Sequence, residues 1–89
     1  MLTRFNAEEV FVQIKIPHLA DEVNEAVVTL WYVKKGDKID KDGDLVELAT
    51  DKATFNMPSP EQGVIAAILK KEGDTVKVGD VICEMEING

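Results

Sequence analysis

The chain has 89 residues and a formal net charge of −7, a length that fits a single domain over 1–89. That charge argues against nucleic acid and against an anionic membrane surface, because both need clustered cations and no run of Lys or Arg here exceeds a Lys-Lys pair. Cys83 is the single cysteine, so no internal disulfide can form, which suits a reducing compartment such as the cytoplasm.

The opening "MLTRFNAEEV" lacks an apolar signal segment and is too acidic for an ordinary transit peptide. It reads as a native start with a short extension over 1–9. "VFVQIKI" then alternates, with Val10, Val12, Ile14 and Ile16 on one face and Phe11, Gln13 and Lys15 on the other, the period of a strand. Pro17 and several acidic residues break the pattern in "IPHLADEVNEA". "VVTLWYV" is β-branched and aromatic, as strands prefer. "KKGDKIDKDGD" is rich in turn residues and holds a short strand around Lys38–Asp40. "LVELA" and "TFNM" form two further strands around a polar tip, Thr50-Asp51-Lys52-Ala53. No segment has a convincing helical period, and no apolar run reaches the ~18 residues of a membrane-spanning helix.

The pattern is written twice. "VVTLWYVKKGDKIDKDGDLVELAT" and "VIAAILKKEGDTVKVGDVICEME" share one order: apolar strand, Lys-Lys, Gly-Asp, Ile or Val, a second Gly-Asp, apolar strand. Gly36-Asp37 matches Gly73-Asp74, and Gly43-Asp44 matches Gly79-Asp80 with one extra residue in the first copy. Each Gly-Asp is expected to turn the chain, glycine through positive φ and aspartate by bonding nearby backbone. Two such units, each with one apolar face, are stable when they cover each other. The expected fold is all-β: two small antiparallel sheets related by an approximate two-fold axis. The Lys52 tip would then lie at one end and the chain termini at the other.

A two-residue hairpin usually takes Asn-Gly or Asp-Gly, because positive φ is needed. Asp51-Lys52 offers neither, so a type I turn or a wider loop is expected. Exposed lysines are common at such tips. The neighbours give this one more weight. "TDKA", with strands on both sides and "PSP" after it, resembles the attachment motif of lipoyl domains, the swinging-arm carriers of 2-oxo acid dehydrogenase complexes. The resemblance runs from Gln13 to Ile87 through "IKIPHLADEVNEA", "WYVKKGDKI", "LVELATDKATFNMPSPEQGVI" and "LKKEGDTVKVGDVI".

That resemblance implies a flattened β-barrel, or sandwich, of two four-stranded antiparallel sheets with quasi-two-fold symmetry. It implies lipoic acid joined covalently to Lys52, with Asp51 and Ala53 helping the attaching enzyme to recognise the tip. Gly36, sixteen residues before the lysine, and Gly63, eleven after it, fill family glycine positions and would join Asp51 and Ala53 in recognition of the attachment site. The implied partners are a lipoate-attaching enzyme, a 2-oxo acid dehydrogenase, an acyltransferase core and dihydrolipoamide dehydrogenase. The chain itself would be a monomeric, non-catalytic carrier, in the cytoplasm or, if eukaryotic and processed, the mitochondrial matrix. Partner specificity would lie around the tip, in residues including Glu47, Asn56 and Glu61. Ala49 stands where the family usually has Glu, and Ala20 and Ala26 stand where Gly is frequent. Biotin carriers share the fold but place methionines beside their lysine, as Ala-Met-Lys-Met, so biotin is the lesser alternative. An unmodified interaction module with the same fold is the other.

Four further residues have plainer readings. His18 lacks partners at metal-ligand spacing. Trp31 and Tyr32 are expected to pack on a sheet. Alternation groups Cys83 with Val81, Met85 and Ile87, but the repeat pairs it with Glu47, which leaves its side open.

Overall fold

The computed structural model describes residues 9–88. The extension expected over 1–9 lies outside them except for Glu9, which already belongs to the first strand. The strands are β1 (Glu9–Lys15), β2 (Glu25–Trp31), β3 (Lys38–Ile39), β4 (Asp44–Ala49), β5 (Thr54–Pro58), β6 (Gly63–Ile68), β7 (Thr75–Lys77) and β8 (Val81–Asn88). One four-stranded sheet has the order β1-β8-β6-β3 and the other β5-β4-β2-β7. All pairings are antiparallel. Reading the two orders side by side, each strand of the first half corresponds to the strand four later. β3 pairs with β6 and β7 with β2, so the two copies exchange short strands and neither can close its sheet alone.

Alternation explains the core. In β1, Ile14 is buried while Lys15 is exposed, and Ile16 just beyond it is buried again. Leu45, Leu48, Ile65, Val76, Ile82 and Met85 come inward from the other strands to fill the space between the sheets. Val28, Gly36, Ile39, Leu45, Val46 and Leu48 in the first copy correspond to Ile65, Gly73, Val76, Ile82, Cys83 and Met85 in the second. The backbone repeats the correspondence: Val28 N–H donates to the Asp74 carbonyl at 2.9 Å, and Ile65 N–H to the Asp37 carbonyl at 2.9 Å.

Three turns share the pattern Lys-x-Gly-Asp, at Lys34, Lys71 and Lys77. In each, the aspartate carboxylate accepts the lysine backbone N–H, at 3.0, 2.7 and 2.9 Å. The glycines take φ of 93° at Gly36, 97° at Gly73 and 93° at Gly79, a region that costs a residue with a Cβ. Gly43 breaks the expectation. The left-handed residue there is Asp42, with φ of 70°. Asp42 N–H donates to the Ser59 carbonyl at 2.8 Å, just as Gly79 N–H donates to the Ile16 carbonyl at 2.8 Å. Asp42-Gly43 therefore corresponds to Gly79-Asp80, one residue earlier than the sequence match, and no extra residue separates the turns. The same shift pairs Cys83 with Val46 instead of Glu47, and both are fully buried.

The later ends of β2 and β6 meet near the middle of the molecule, where the Trp31 indole N–H donates to the Lys70 carbonyl at 2.8 Å. Their starts point away from each other. The start of β2 lies beside the β4–β5 tip, with Val27 opposite Ala49. The start of β6 lies beside Glu86, which pairs with Phe11 toward the Glu9–Asn88 end. The tip and the described chain ends thus occupy opposite ends of the molecule.

Candidate functional site

The hairpin tip comprises Thr50 to Ala53, beyond the last ladder pair Ala49–Thr54. Thr50 N–H donates to the Ala53 carbonyl at 2.8 Å. Neither Asp51 nor Lys52 has positive φ. The Thr50 hydroxyl does the remaining work: its Oγ1 accepts the N–H of Lys52 at 3.3 Å and of Ala53 at 3.2 Å, the threonine version of a side-chain turn. Thr50 therefore lets a turn without glycine close, and it sets the backbone on both sides of the lysine. Sequence reasoning missed it. The available signal was a hydroxyl residue two positions before the lysine.

Asp51, Lys52 and Ala53 are all exposed. Among the described residues no carboxylate lies within salt-bridge distance of Lys52; the one such contact joins His18 Nε2 to Asp21 at 3.8 Å, with both side chains in solvent. The arrangement presents a primary amine on a short, backbone-fixed tip, and an acyl group linked to it by an amide would displace nothing from the core. Beside the tip runs an open groove lined by Val23, Val27, Ala49 and Thr50 together with the carboxylates of Glu22, Glu25 and Asp51.

Gly36 and Gly63 are not brought to the tip. Gly36 closes the β2–β3 turn, and its N–H donates to the Ile65 carbonyl at 2.8 Å. Gly63 begins β6 near the opposite end. A Cβ there would lie 2.6 Å from the Glu86 carbonyl oxygen and 2.8 Å from Met85 Cγ, so the fold itself requires a glycine. Glu47 and Asn56 face each other two pairs further down the hairpin. They form a network with Tyr32, whose hydroxyl donates to Asn56 Oδ1 at 2.9 Å, and with Thr29, whose hydroxyl donates to Glu47 Oε2 at 2.7 Å. Glu61 does not belong with them. It lies past the far end of β5, where its carbonyl accepts the hydroxyl of the buried Ser59 at 2.6 Å, because β5 leads away from the tip.

The other three residues are accounted for by packing and exposure. Trp31 is half-buried against the core; Tyr32 stays exposed through its link to Asn56. Burial, with Glu84 adding to it, pushes the Cys83 thiol up to about 11, the opposite of what a nucleophile needs. No group of three metal-ligating side chains exists among the described residues, and no helix there is long and apolar enough to cross a membrane.

Residues 12–85 match the pattern of the biotin and lipoyl family described as "Biotin-requiring enzyme". The chain is 36% identical over 77 residues to the lipoamide acyltransferase component of the branched-chain alpha-keto acid dehydrogenase complex of Bacillus subtilis, covering 86% of this chain and 18% of that protein. It is 42% identical over 76 residues to the dihydrolipoyllysine-residue acetyltransferase component of the pyruvate dehydrogenase complex of Pseudomonas aeruginosa, covering 85% of this chain and 14% of that one. The chain thus spans less than a fifth of these relatives. Among solved structures, the lipoyl domain of the 2-oxoglutarate dehydrogenase complex from Azotobacter vinelandii superposes with a TM-score of 0.70 at 32% identity, over 88% of this chain and 99% of that domain. A multi-domain long-chain acyl-CoA carboxylase shares the fold at 15% identity, with a TM-score of 0.68 over 99% of this chain and 8% of its own. The chain belongs to the biotinyl/lipoyl attachment family, and within it to the lipoyl domains found in acyltransferase components of 2-oxo acid dehydrogenase complexes.

Proposed function

We propose that this domain carries lipoic acid in amide linkage on Lys52 and serves as the moving substrate of a 2-oxo acid dehydrogenase-type complex, with no catalytic residues of its own. The observation that carries the reading is the exposed amine on a tip whose backbone is held by Thr50. When bound, the lipoyl group supplies the acyl-carrying and redox chemistry. The chain supplies position: Thr50 fixes the tip, the eight-stranded body resists deformation, and Lys52 sets the point of attachment. Once acylated, Lys52 loses its positive charge and the domain becomes one unit more acidic. Tethering to a larger acyltransferase chain would make each encounter with the dehydrogenase, the acyltransferase core and dihydrolipoamide dehydrogenase effectively intramolecular.

Co-expression with a lipoate-attaching enzyme, followed by whole-protein mass measurement, tests this. The expected result is one lipoyl mass added, absent in Lys52→Ala. No mass gain under conditions that modify a control lipoyl domain rejects lipoylation and favours an unmodified interaction module. Streptavidin blotting after co-expression with a biotin-attaching enzyme tests the biotin alternative, and no signal is expected because the residues flanking Lys52 are Asp51 and Ala53, not methionines.

A further inference from the structure

The outer face of the sheet directly below the tip carries a row of side chains unlike its counterpart at the other end. Across β5, β4, β2 and β7 the paired residues are Thr54, Ala49, Val27 and Thr75. The corresponding row at the opposite end, across β1, β8, β6 and β3, is Phe11, Glu86, Val64 and Lys38. One row is short and uncharged; the other holds an aromatic ring and both signs of charge. In a chain that is 30% charged, an uncharged row across a whole sheet stands out. Val27 remains 39% exposed at its centre, and the row's middle forms part of the groove that Thr50, Asp51, Glu22 and Glu25 also line.

We propose that this row is a resting place for the acyl arm on Lys52, a reading that rests on the carrier function above. The occupant is argued from attachment. Thr54 lies two residues from Lys52, so an arm on that lysine starts at the edge of the row. A tethered group is held at high effective concentration, so even weak apolar contact populates a docked state. The row itself presents no charge that docking would strip of water, and the carboxylates of Glu22, Glu25 and Asp51 line the groove around it, so the arm's path is confined to Val27 and Ala49. Ala49 is the pivotal residue: its counterpart Glu86 would lay a carboxylate across the path. The domain thereby holds its arm between an extended form that enzymes reach and a docked form that shields it.

The test uses octanoate attached enzymatically to Lys52, a redox-silent probe, and nuclear Overhauser contacts read by NMR. Contacts from the octanoyl methylenes to the Val27 and Ala49 methyls are expected, and they should be lost in octanoylated Ala49→Glu and weakened in the nearly isosteric Val27→Thr. A second probe needs no attaching enzyme: Lys52→Cys alkylated with an N-octyl iodoacetamide. Cys83 is fully buried, with its thiol pushed up to about 11, so alkylation at neutral pH is confined to residue 52. Failure of the enzyme to load octanoate would count against the carrier function, whereas the alkylated variant still reports on docking. Shifts confined to residues 50–53 with no contact to Val27, or contacts unchanged by Ala49→Glu, overturn the proposal.

Discussion

Thr50 decides whether the tip is a defined shape or a loose loop. Its hydroxyl accepts two backbone N–H groups that no other residue in the turn satisfies. Replacing it with valine should cost about 1 kcal/mol, lower the melting temperature slightly, and speed amide exchange at Lys52 and Ala53 more than elsewhere. Gly63→Ala should destabilise by about 1–3 kcal/mol, read as a lower urea midpoint, since the new methyl meets backbone oxygen and the Met85 side chain. Asp42→Gly should stabilise by up to about 1 kcal/mol, read as a higher urea midpoint, because it relieves a left-handed residue at the position where the second copy has Gly79. At Cys83 the native thiol pKa is raised from 9.0 to about 11. The unfolded chain therefore releases that proton first. Ionisation of this thiol leaves stability untouched well below pH 9 and costs progressively more as pH rises toward 11, up to about 2–3 kcal/mol. Urea unfolding of the parent and of Cys83→Ala across that range should show the difference.

At the level of strands and turns, much was legible because strand periodicity and repeated Gly-Asp pairs are local signals. Ile14 and Ile16 declared the buried face of β1, and Gly36, Gly73 and Gly79 declared three left-handed turns. Gly43 misled because a glycine was matched to a glycine. The backbone instead places the strained conformation on Asp42, and only the hydrogen bonds to Ser59 and Ile16 reveal it. Glu61 was grouped with the tip on nearness in sequence, whereas β5 carries it to the far end. The lysine was legible by its motif, but the uncharged row beneath it was not, since its four residues come from four strands and meet only through register. The hairpin also predicts a limit on change. Inserting one glycine after Lys52 should leave the melting temperature nearly unaltered, because the loop lies outside the core, yet slow enzymatic attachment by breaking the Thr50 bonds; a time course of mass gain measures this.

Over the whole molecule, the quasi-two-fold arrangement turns one repeated unit into a body with two unlike ends. Corresponding turns and matching core residues build both halves. One end holds the described chain ends, Glu9 paired with Asn88, the other a lysine facing solvent. The body gives each half the partner strand it lacks, which keeps the tip stationary while whatever it carries moves. A net charge of −7 opposes self-association of the domain. The central claim is that position, not the amine alone, selects Lys52. Proteolytic peptide mapping of the enzymatically lipoylated protein tests it most directly, because Lys34, Lys70 and Lys77 offer the same functional group in the same sample. Modification confined to the peptide containing Lys52 is the result predicted; lipoyl groups spread over the other lysines, or placed on one of them instead, would contradict it.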